Sequence, residues 1–274
     1  MFMPADRRNA IVTGSAGGLG RALAVRLARE GRRIALVDID EARNRETLAA
    51  VVAAGGEGRC ERVDVADPEQ WQALHDRLRA DWPTLDLLIN NAGIAGAGDV
   101  GEFPLASWEQ MLDVNLRSTI HGCHTFAAWL KENPRGAHVV NTASFAAFAC
   151  FPGMAAYNVT KAGVLALSET LRCEWGPHRI GVTVVCPGFF PTGLLQSALM
   201  QTQQQRDFAE QAMRESSISA DDVAAVALEA VARNQLYVVL PARPRLFWRL
   251  KRFVPRWFSK YITRRYQELL DAAK

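Results

Sequence analysis

The sequence predicts an α/β chain: one doubly wound parallel sheet covered by helices on both faces, with a basic, aromatic helical extension after it. Three observations carry that prediction. Short apolar runs alternate strictly with helix-favouring segments as far as Leu240. A glycine-rich turn joins the first run to the first helical segment, and residues 243–274 differ in composition from everything before them. Alternation of this kind implies a parallel sheet buried on both sides.

The elements follow in order. Asn9–Thr13 (NAIVT) is a short apolar run, read as the first strand, and Gly18–Glu30 reads as the first helix. Arg33–Asp38 (RIALVD) is the second strand and Glu41–Ala54 the second helix, which the glycines at 55, 56 and 58 break. Arg59–Val63 is the third strand. Asp67-Pro68 opens a helix, with an acceptor side chain at the N-cap and proline at the first helical position. Leu85–Ile89 is a fourth strand, running into Asn90-Asn91-Ala92-Gly93. Ser107–Leu130 is expected as one long helix, His138–Thr142 as the fifth strand, Ala155–Trp175 as another long helix and Gly181–Cys186 as the sixth strand. A helix over Ala220–Ala232 and a strand over Leu236–Leu240 complete the sheet. Runs this short suit either strand or helix, so the flanking turn residues decide each assignment. No repeat or low-complexity linker interrupts the chain. The expected division is one domain over residues 1–242 and an extension over 243–274.

Of 274 residues, 49% are hydrophobic and 22% charged, which suits a soluble globular protein with a substantial core. The five cysteines are scattered with no Cys-x-x-Cys, as expected of reduced structural thiols in a cytosol-like compartment. The N-terminal residues carry no apolar run that would read as a signal peptide, and no stretch is long and apolar enough for a spanning helix. The expected location is therefore cytoplasmic. Residues 243–274 hold ten Lys/Arg against Glu268 and Asp271, a net +8; the whole chain is +3, which leaves the body at −5. Basic character confined to the tail gives no reason to expect nucleic acid as a partner.

Thr13-Gly-Ser-Ala-Gly-Gly-Leu-Gly20 lies between the first strand and the first helix. Glycines there let the backbone turn sharply and present its N–H groups to a pyrophosphate at the helix N-terminus, although many tight turns look similar. Asp38 ends the second strand. A carboxylate at that point can accept hydrogen bonds from the adenosine ribose and repel a 2′-phosphate, or it can simply cap the next helix. Ile39 follows it where an arginine would favour NADP, while Arg43 and Arg45 lie close by; on balance NAD(H) is expected over NADP(H).

Tyr157-Asn-Val-Thr-Lys161 places two side chains on one helical face, a turn apart. Tyrosine titrates near about 10 and lysine near about 10.4, and a neighbouring ammonium favours the tyrosinate. Taken alone, this is an ordinary Tyr/Lys pair. Ser144 adds a hydroxyl just past the fifth strand, at the edge that borders the ligand crevice in a parallel sheet. Asn115 is a poor helix former in mid-helix, suited either to a buried structural hydrogen bond or to holding a water.

The ordered set Thr13-Gly14-x-x-x-Gly18-x-Gly20, Asn90-Asn91-Ala92-Gly93, Asn115, Ser144, Tyr157-x-x-x-Lys161 and Pro187-Gly188 resembles the short-chain dehydrogenase/reductase family over about residues 9–240. The resemblance implies a Rossmann-like domain and hydride transfer between a nicotinamide and a secondary alcohol or ketone. It implies Tyr157 as general acid/base, Lys161 lowering its pKa and binding the nicotinamide ribose, Ser144 orienting the substrate oxygen, and Asn115 holding a relay water. Gly14, Gly18, Leu19 and Gly20 would line the diphosphate site, with Asp38 on the adenosine ribose and Asp64-Val65 beside the adenine. Asn91 and Gly93 would border the cofactor near Pro187-Gly188, and Phe190 and Thr192 would hold the carboxamide. Phe189-Phe190-Pro191 is bulkier and stiffer than this loop usually is. A homodimer or homotetramer through the two long helices is also implied. The second reading is a catalytically idle NAD-binding protein that docks through its tail.

His121 and His124 lack the further donors that a metal needs, so no metal site is expected. No Gly-x-Ser-x-Gly elbow makes Ser144 a hydrolase nucleophile. Phe145, Phe148, Phe151, Met154, Phe189, Phe190, Leu194, Leu195 and Met200 follow the catalytic strands and predict an apolar substrate, or else plain core. In the tail, Pro244 and Pro255 bound two short segments. From Pro255, Trp257, Phe258, Tyr261, Ile262 and Arg265 recur at steps of three and four, giving an aromatic face beside a cationic one. Two uses stay open: peripheral contact with an anionic membrane, or packing on a neighbouring subunit.

Overall fold

The computed structural model describes residues 8–241, 247–248 and 251–271. Pro244 and the expected 242/243 boundary lie outside the described residues, as do residues 1–7. The strands in chain order are β1 (Asn9–Thr13), β2 (Arg33–Asp38), β3 (Glu57–Arg62), β4 (Leu87–Asn90), β5 (Gly96–Ala97), β6 (Ala137–Thr142), β7 (Ile180–Pro187), β8 (Leu199–Met200) and β9 (Tyr237–Leu240). Seven form one all-parallel sheet in the order β3-β2-β1-β4-β6-β7-β9, and β5 pairs with β8 in a small separate sheet. The chain moves outward from β1 to β3, then returns to lay β4 against the other side of β1. That reversal opens a crevice above the carboxyl ends of β1 and β4.

The helices are α1 (Gly18–Arg29), α2 (Glu41–Ala53), α3 (Pro68–Asp81), α4 (Leu105–Met111), α5 (Ser118–Glu132), α6 (Ala146–Ala149), α7 (Ala155–Trp175), α8 (Gln203–Arg214) and α9 (Ala220–Ala232). Strand residues alternate between two cores, as the two-residue period of a pleated strand requires. Ala10, Val12, Ile34 and Leu36 face α1, α2 and α9, whereas Ile11, Ala35 and Val37 face α3, α5 and α7. The second core is the more aromatic: Trp71, Phe126 and Trp129 are all but fully buried, and Trp71 meets Phe126 edge-on with ring centroids 6.1 Å apart. Each large side chain buried this way contributes roughly 1.5–3 kcal/mol.

Most expected elements stand where the sequence puts them. β1, β2, α7 and α9 have the expected limits. Asp67 caps α3 by accepting from the backbone N–H groups of Glu69 and Gln70, with Pro68 as the first helical residue. Three corrections are needed, one of them that the fourth strand begins at Leu87 rather than Leu85. The third strand begins two residues earlier than expected, at Glu57, because its polar residues still pair in register with β2. The single helix expected over Ser107–Leu130 is α4 and α5 joined by a π-helical turn, Leu112–Arg117, which carries Asn115. Such a turn takes in an extra residue and is common at functional sites. Three features went unforeseen: the β5–β8 pair, the short α6 and the α8 helix.

Candidate active site

The crevice is a cleft of about 1300 Å³ running across the carboxyl edge of the sheet. One end of it is mostly backbone. Gly14 has φ +64°, and a Cβ on it would lie 2.9 Å from the Ala92 Cα, so no side chain fits without moving the chain. At Gly20 a Cβ would meet the Gly14 carbonyl oxygen at 2.0 Å, which is why the turn packs so closely on α1. Gly17 precedes α1 without a side-chain cap, leaving the first N–H groups of the helix facing the cleft. An uncapped helix start beside a bare backbone turn suits a diphosphate.

The carboxylate of Asp38 accepts from the Ala16 N–H at 2.9 Å and the Asp40 N–H at 3.0 Å, which fixes a negative charge beside the turn. It does not cap α2; Asp40 does, by accepting from the Arg43 N–H. Asp64 and Val65 also line this end. Of the two nearby arginines, Arg45 turns away onto Glu41, while Arg43 reaches over Gly17 and donates to the Gln196 Oε1 at 3.0 Å. Asn91 ties three strand ends together: its Nδ2 donates to the Thr13 carbonyl at 3.0 Å, and its Oδ1 accepts from the Thr142 hydroxyl at 3.2 Å.

The middle of the cleft holds the chemical groups. Tyr157 and Lys161 both rise from the first half of α7, and Ser144 stands in the turn between β6 and α6. Lys161 is buried, with its Nζ donating to the Thr142 carbonyl at 3.0 Å and lying 5.8 Å from the Tyr157 ring centre. Burial draws its ammonium down to about 8. Burial also pushes the Tyr157 phenol above its ordinary value, and a hydrogen bond from Ser144 opposes that. Desolvation, not their mutual charge, thus sets both groups in the free cleft.

Asn115 and Gly20 are the two expected site residues that do not line the cleft; Gly14, Gly18, Leu19, Gly93, Pro187, Gly188, Phe190, Thr192 and the residues already described do. Asn115 is fully buried behind Gly93. Its Oδ1 accepts from the Ile94 N–H at 2.8 Å and its Nδ2 donates to the Ile94 carbonyl at 2.9 Å. Thr192 caps the short turn Gly193–Ser197, and Gly188 is fixed by its N–H donating to the Leu240 carbonyl.

The far end is apolar. Of the nine residues expected there, all but Phe148 line the cleft; Phe148 packs instead on Trp248, with ring centres 4.9 Å apart. α8 adds Phe208 and Met213. Its signal was present in the sequence: Thr202 and Gln205 form a capping box, each side chain satisfying the other's backbone N–H. The C-terminal helix, Pro255–Asp271, closes this end with Tyr261, Ile262, Arg265 and Tyr266, joined by Phe247. The Tyr266 hydroxyl donates to the Asp99 Oδ1 at 2.7 Å, and Phe258 is 4% exposed and edge-on to Phe247. The buried side of the tail therefore packs on its own chain, which accounts for these aromatics without a neighbouring subunit. Trp257, expected on the same face, is 54% exposed.

A parallel sheet in this strand order, with a glycine-lined crevice at its carboxyl edge, is the doubly wound architecture. Residues 8–203 match the model for short chain dehydrogenase, and the chain belongs to that family. It is 38% identical over 184 residues to the "Probable oxidoreductase EphD" of Mycobacterium tuberculosis; the match takes in 67% of this chain but spans only 31% of that longer protein. It is 32% identical to the 1-deoxy-11-beta-hydroxypentalenate dehydrogenase of Streptomyces exfoliatus, over 86% of this chain and 84% of the relative. With the 3beta-hydroxysteroid dehydrogenase of Mediterraneibacter gnavus it shares 33% identity over 70% and 69% of the two chains. Among solved structures, a short-chain dehydrogenase/reductase from Burkholderia phymatum in complex with NAD superposes with a TM-score of 0.86 at 30% identity, covering 92% of this chain and 95% of that one. A short-chain dehydrogenase from Sphingobium yanoikuyae in complex with NADPH has a TM-score of 0.74 at 25% identity, over 96% and 95%.

Proposed function

We propose that this protein is a nicotinamide-dependent oxidoreductase that interconverts a secondary alcohol and a ketone on an apolar substrate of some size. The observation that carries the reading is the convergence of Ser144, Tyr157 and Lys161 in one cleft, between a backbone cradle and an apolar chamber. The bound dinucleotide would supply the hydride acceptor or donor. Gly14, Gly18 and Leu19 would hold its diphosphate, with Gly20 keeping the turn packed on α1 behind them, and Asp38 its adenosine ribose.

In the oxidising direction the alcohol carbon gives up a hydride and the alcohol oxygen gives up its proton to Tyr157; reduction reverses both. Ser144 holds the substrate oxygen within reach of the Tyr157 hydroxyl. Lys161 supplies positive charge on the same helix face, favouring the tyrosinate as the proton moves. Asn115 fixes the wall at Ile94 and Gly93, behind the reacting groups. NAD is the expected cofactor over NADP, since the fixed charge of Asp38 opposes a 2′-phosphate. An apolar substrate fits the lining at the far end, and the names of two relatives, a hydroxysteroid and a hydroxypentalenate dehydrogenase, support bulky alcohols. Exposed Ile120 on α5 and Val159 on α7 support self-association through those helices.

A panel of secondary alcohols, offered with NAD+ and with NADP+ and followed by absorbance of the reduced nicotinamide, tests this directly. Turnover of bulky apolar alcohols with NAD+ is expected. Exclusive use of small polyols, or a higher kcat/KM with NADP+, would overturn the corresponding part.

A further inference from the structure

The C-terminal helix has two sides, and the cleft uses only one. Phe258, Ile262 and Tyr266 turn inward. Arg256, Lys260 and Arg264, four residues apart, form an exposed row on the other side. Trp257 and Tyr261 form the next row, their rings stacked 5.5 Å apart, with the second ring shared between the rim of the cleft and the surface. Just before the helix, Arg252 and Phe253 repeat the pairing of cation and aromatic, and Phe253 is 80% exposed. Such large apolar side chains normally find cover, and single exposed ones need no explanation. Here they lie in register with a row of cations.

We propose that this outer face seats the protein on an anionic lipid surface. Charge complementarity and the exposed rings together select that occupant. Residues 243–274 carry net +8 and the rest of the chain −5, so a zwitterionic surface offers no matching field. The acidic body of a second copy would match the charge, a case that sedimentation separates, whereas an anionic headgroup layer matches both the cations and the exposed rings of Trp257 and Phe253. An anionic bilayer attracts the cationic row and repels the acidic body, which orients the molecule with the helix downward. Trp257 and Phe253 then reach the headgroup boundary, where amphipathic rings are stable. The helix is too charged to cross, and no helix among the described residues is long and apolar enough to do so.

The placement bears on the substrate. The inner face of this helix walls the apolar end of the cleft, so a docked molecule holds that end close to lipid. An apolar alcohol or ketone dissolved in the bilayer could then enter past Tyr261 and Tyr266. This route rests on the function proposed above; the lipid contact itself does not.

The test uses the full chain and vesicle flotation, without turnover. Phosphatidylcholine vesicles containing phosphatidylserine should carry the protein, pure phosphatidylcholine vesicles should carry far less, and added salt should release it. The double variant Arg256→Glu/Lys260→Glu touches no cleft residue and should lower binding to the anionic vesicles at least about tenfold. Trp257→Ser should lower it to a smaller extent. Unchanged thermal melting shows that the variants fold. No flotation of the intact protein at low salt overturns the proposal, as does equal flotation of the double variant. So does a loss of self-association in the variant, by sedimentation, without any vesicle binding by the parent; the face would then be a contact between copies.

Discussion

The two ends of the cleft are made of different material. At the glycine-rich end the walls are strand ends and glycine backbone, held by hydrogen bonds among β1, β2, β4 and β6. Their shape follows from the sheet itself, and a single methyl at Gly20 would collide with the Gly14 carbonyl. At the apolar end the walls are side chains from α6, α8, the β7–α8 loops and the C-terminal helix, brought together over long stretches of sequence. The Tyr266–Asp99 hydrogen bond alone joins residues 167 positions apart. A backbone site fixes what all its ligands share, whereas a side-chain site can be reshaped by substitution without disturbing the sheet.

The contrast can be broken first at Gly20. Gly20→Ala should weaken dinucleotide binding on the order of 100-fold, because the turn must move by about an ångström to admit the methyl. Titration by nicotinamide fluorescence reads this, and an unchanged affinity would show that the cradle yields more easily than its contacts imply. Asp38→Ala comes next. Removing a fixed charge beside the ribose should narrow the preference for NAD over NADP by about tenfold, the size of a like-charge contact in a partly screened setting. Competing rates on the two cofactors would show it, and an unaltered ratio would shift the discrimination to Arg43. Tyr266→Phe is the mildest. Loss of its hydrogen bond to Asp99 should raise KM for a bulky alcohol several-fold, in line with roughly 0.5–1.5 kcal/mol, and leave dinucleotide affinity alone. A change in cofactor affinity instead would mean that the two ends are coupled.

The same contrast decides what could be read from the sequence. Apolar runs, glycines and caps are local, so β1, β2, α7 and α9 were legible to the residue, and Gly14, Gly18 and Leu19 line the cleft at the turn their spacing marks. Asn115 was legible as an oddity, a polar amide in mid-helix. The π-helical turn that presents it was not, since its partner is the Ile94 backbone far away in sequence. The α8 helix was within reach through Thr202 and Gln205, yet its polar composition hides its inward face. The tail was legible as two-faced. Which surface the aromatics cover depended on tertiary contacts with Asp99, Gly153 and Phe148, and no periodicity encodes those. The charge state of the Tyr157–Lys161 pair was the subtlest matter. Spacing alone predicts mutual tuning, but both groups are buried, and burial raises the phenol while lowering the ammonium to about 8.

The central claim is that Tyr157 moves the proton, and replacing one atom tests it most directly. Tyr157→Phe keeps the ring and its packing against Ile94, Met111 and Ala156 and removes only the hydroxyl. Turnover of the best alcohol found in the NAD+ panel should be measured beside dinucleotide binding in the same preparation. The account predicts a fall in kcat of about 10²–10⁴-fold with binding unchanged. Turnover equal to the parent protein's, with binding intact, would contradict it.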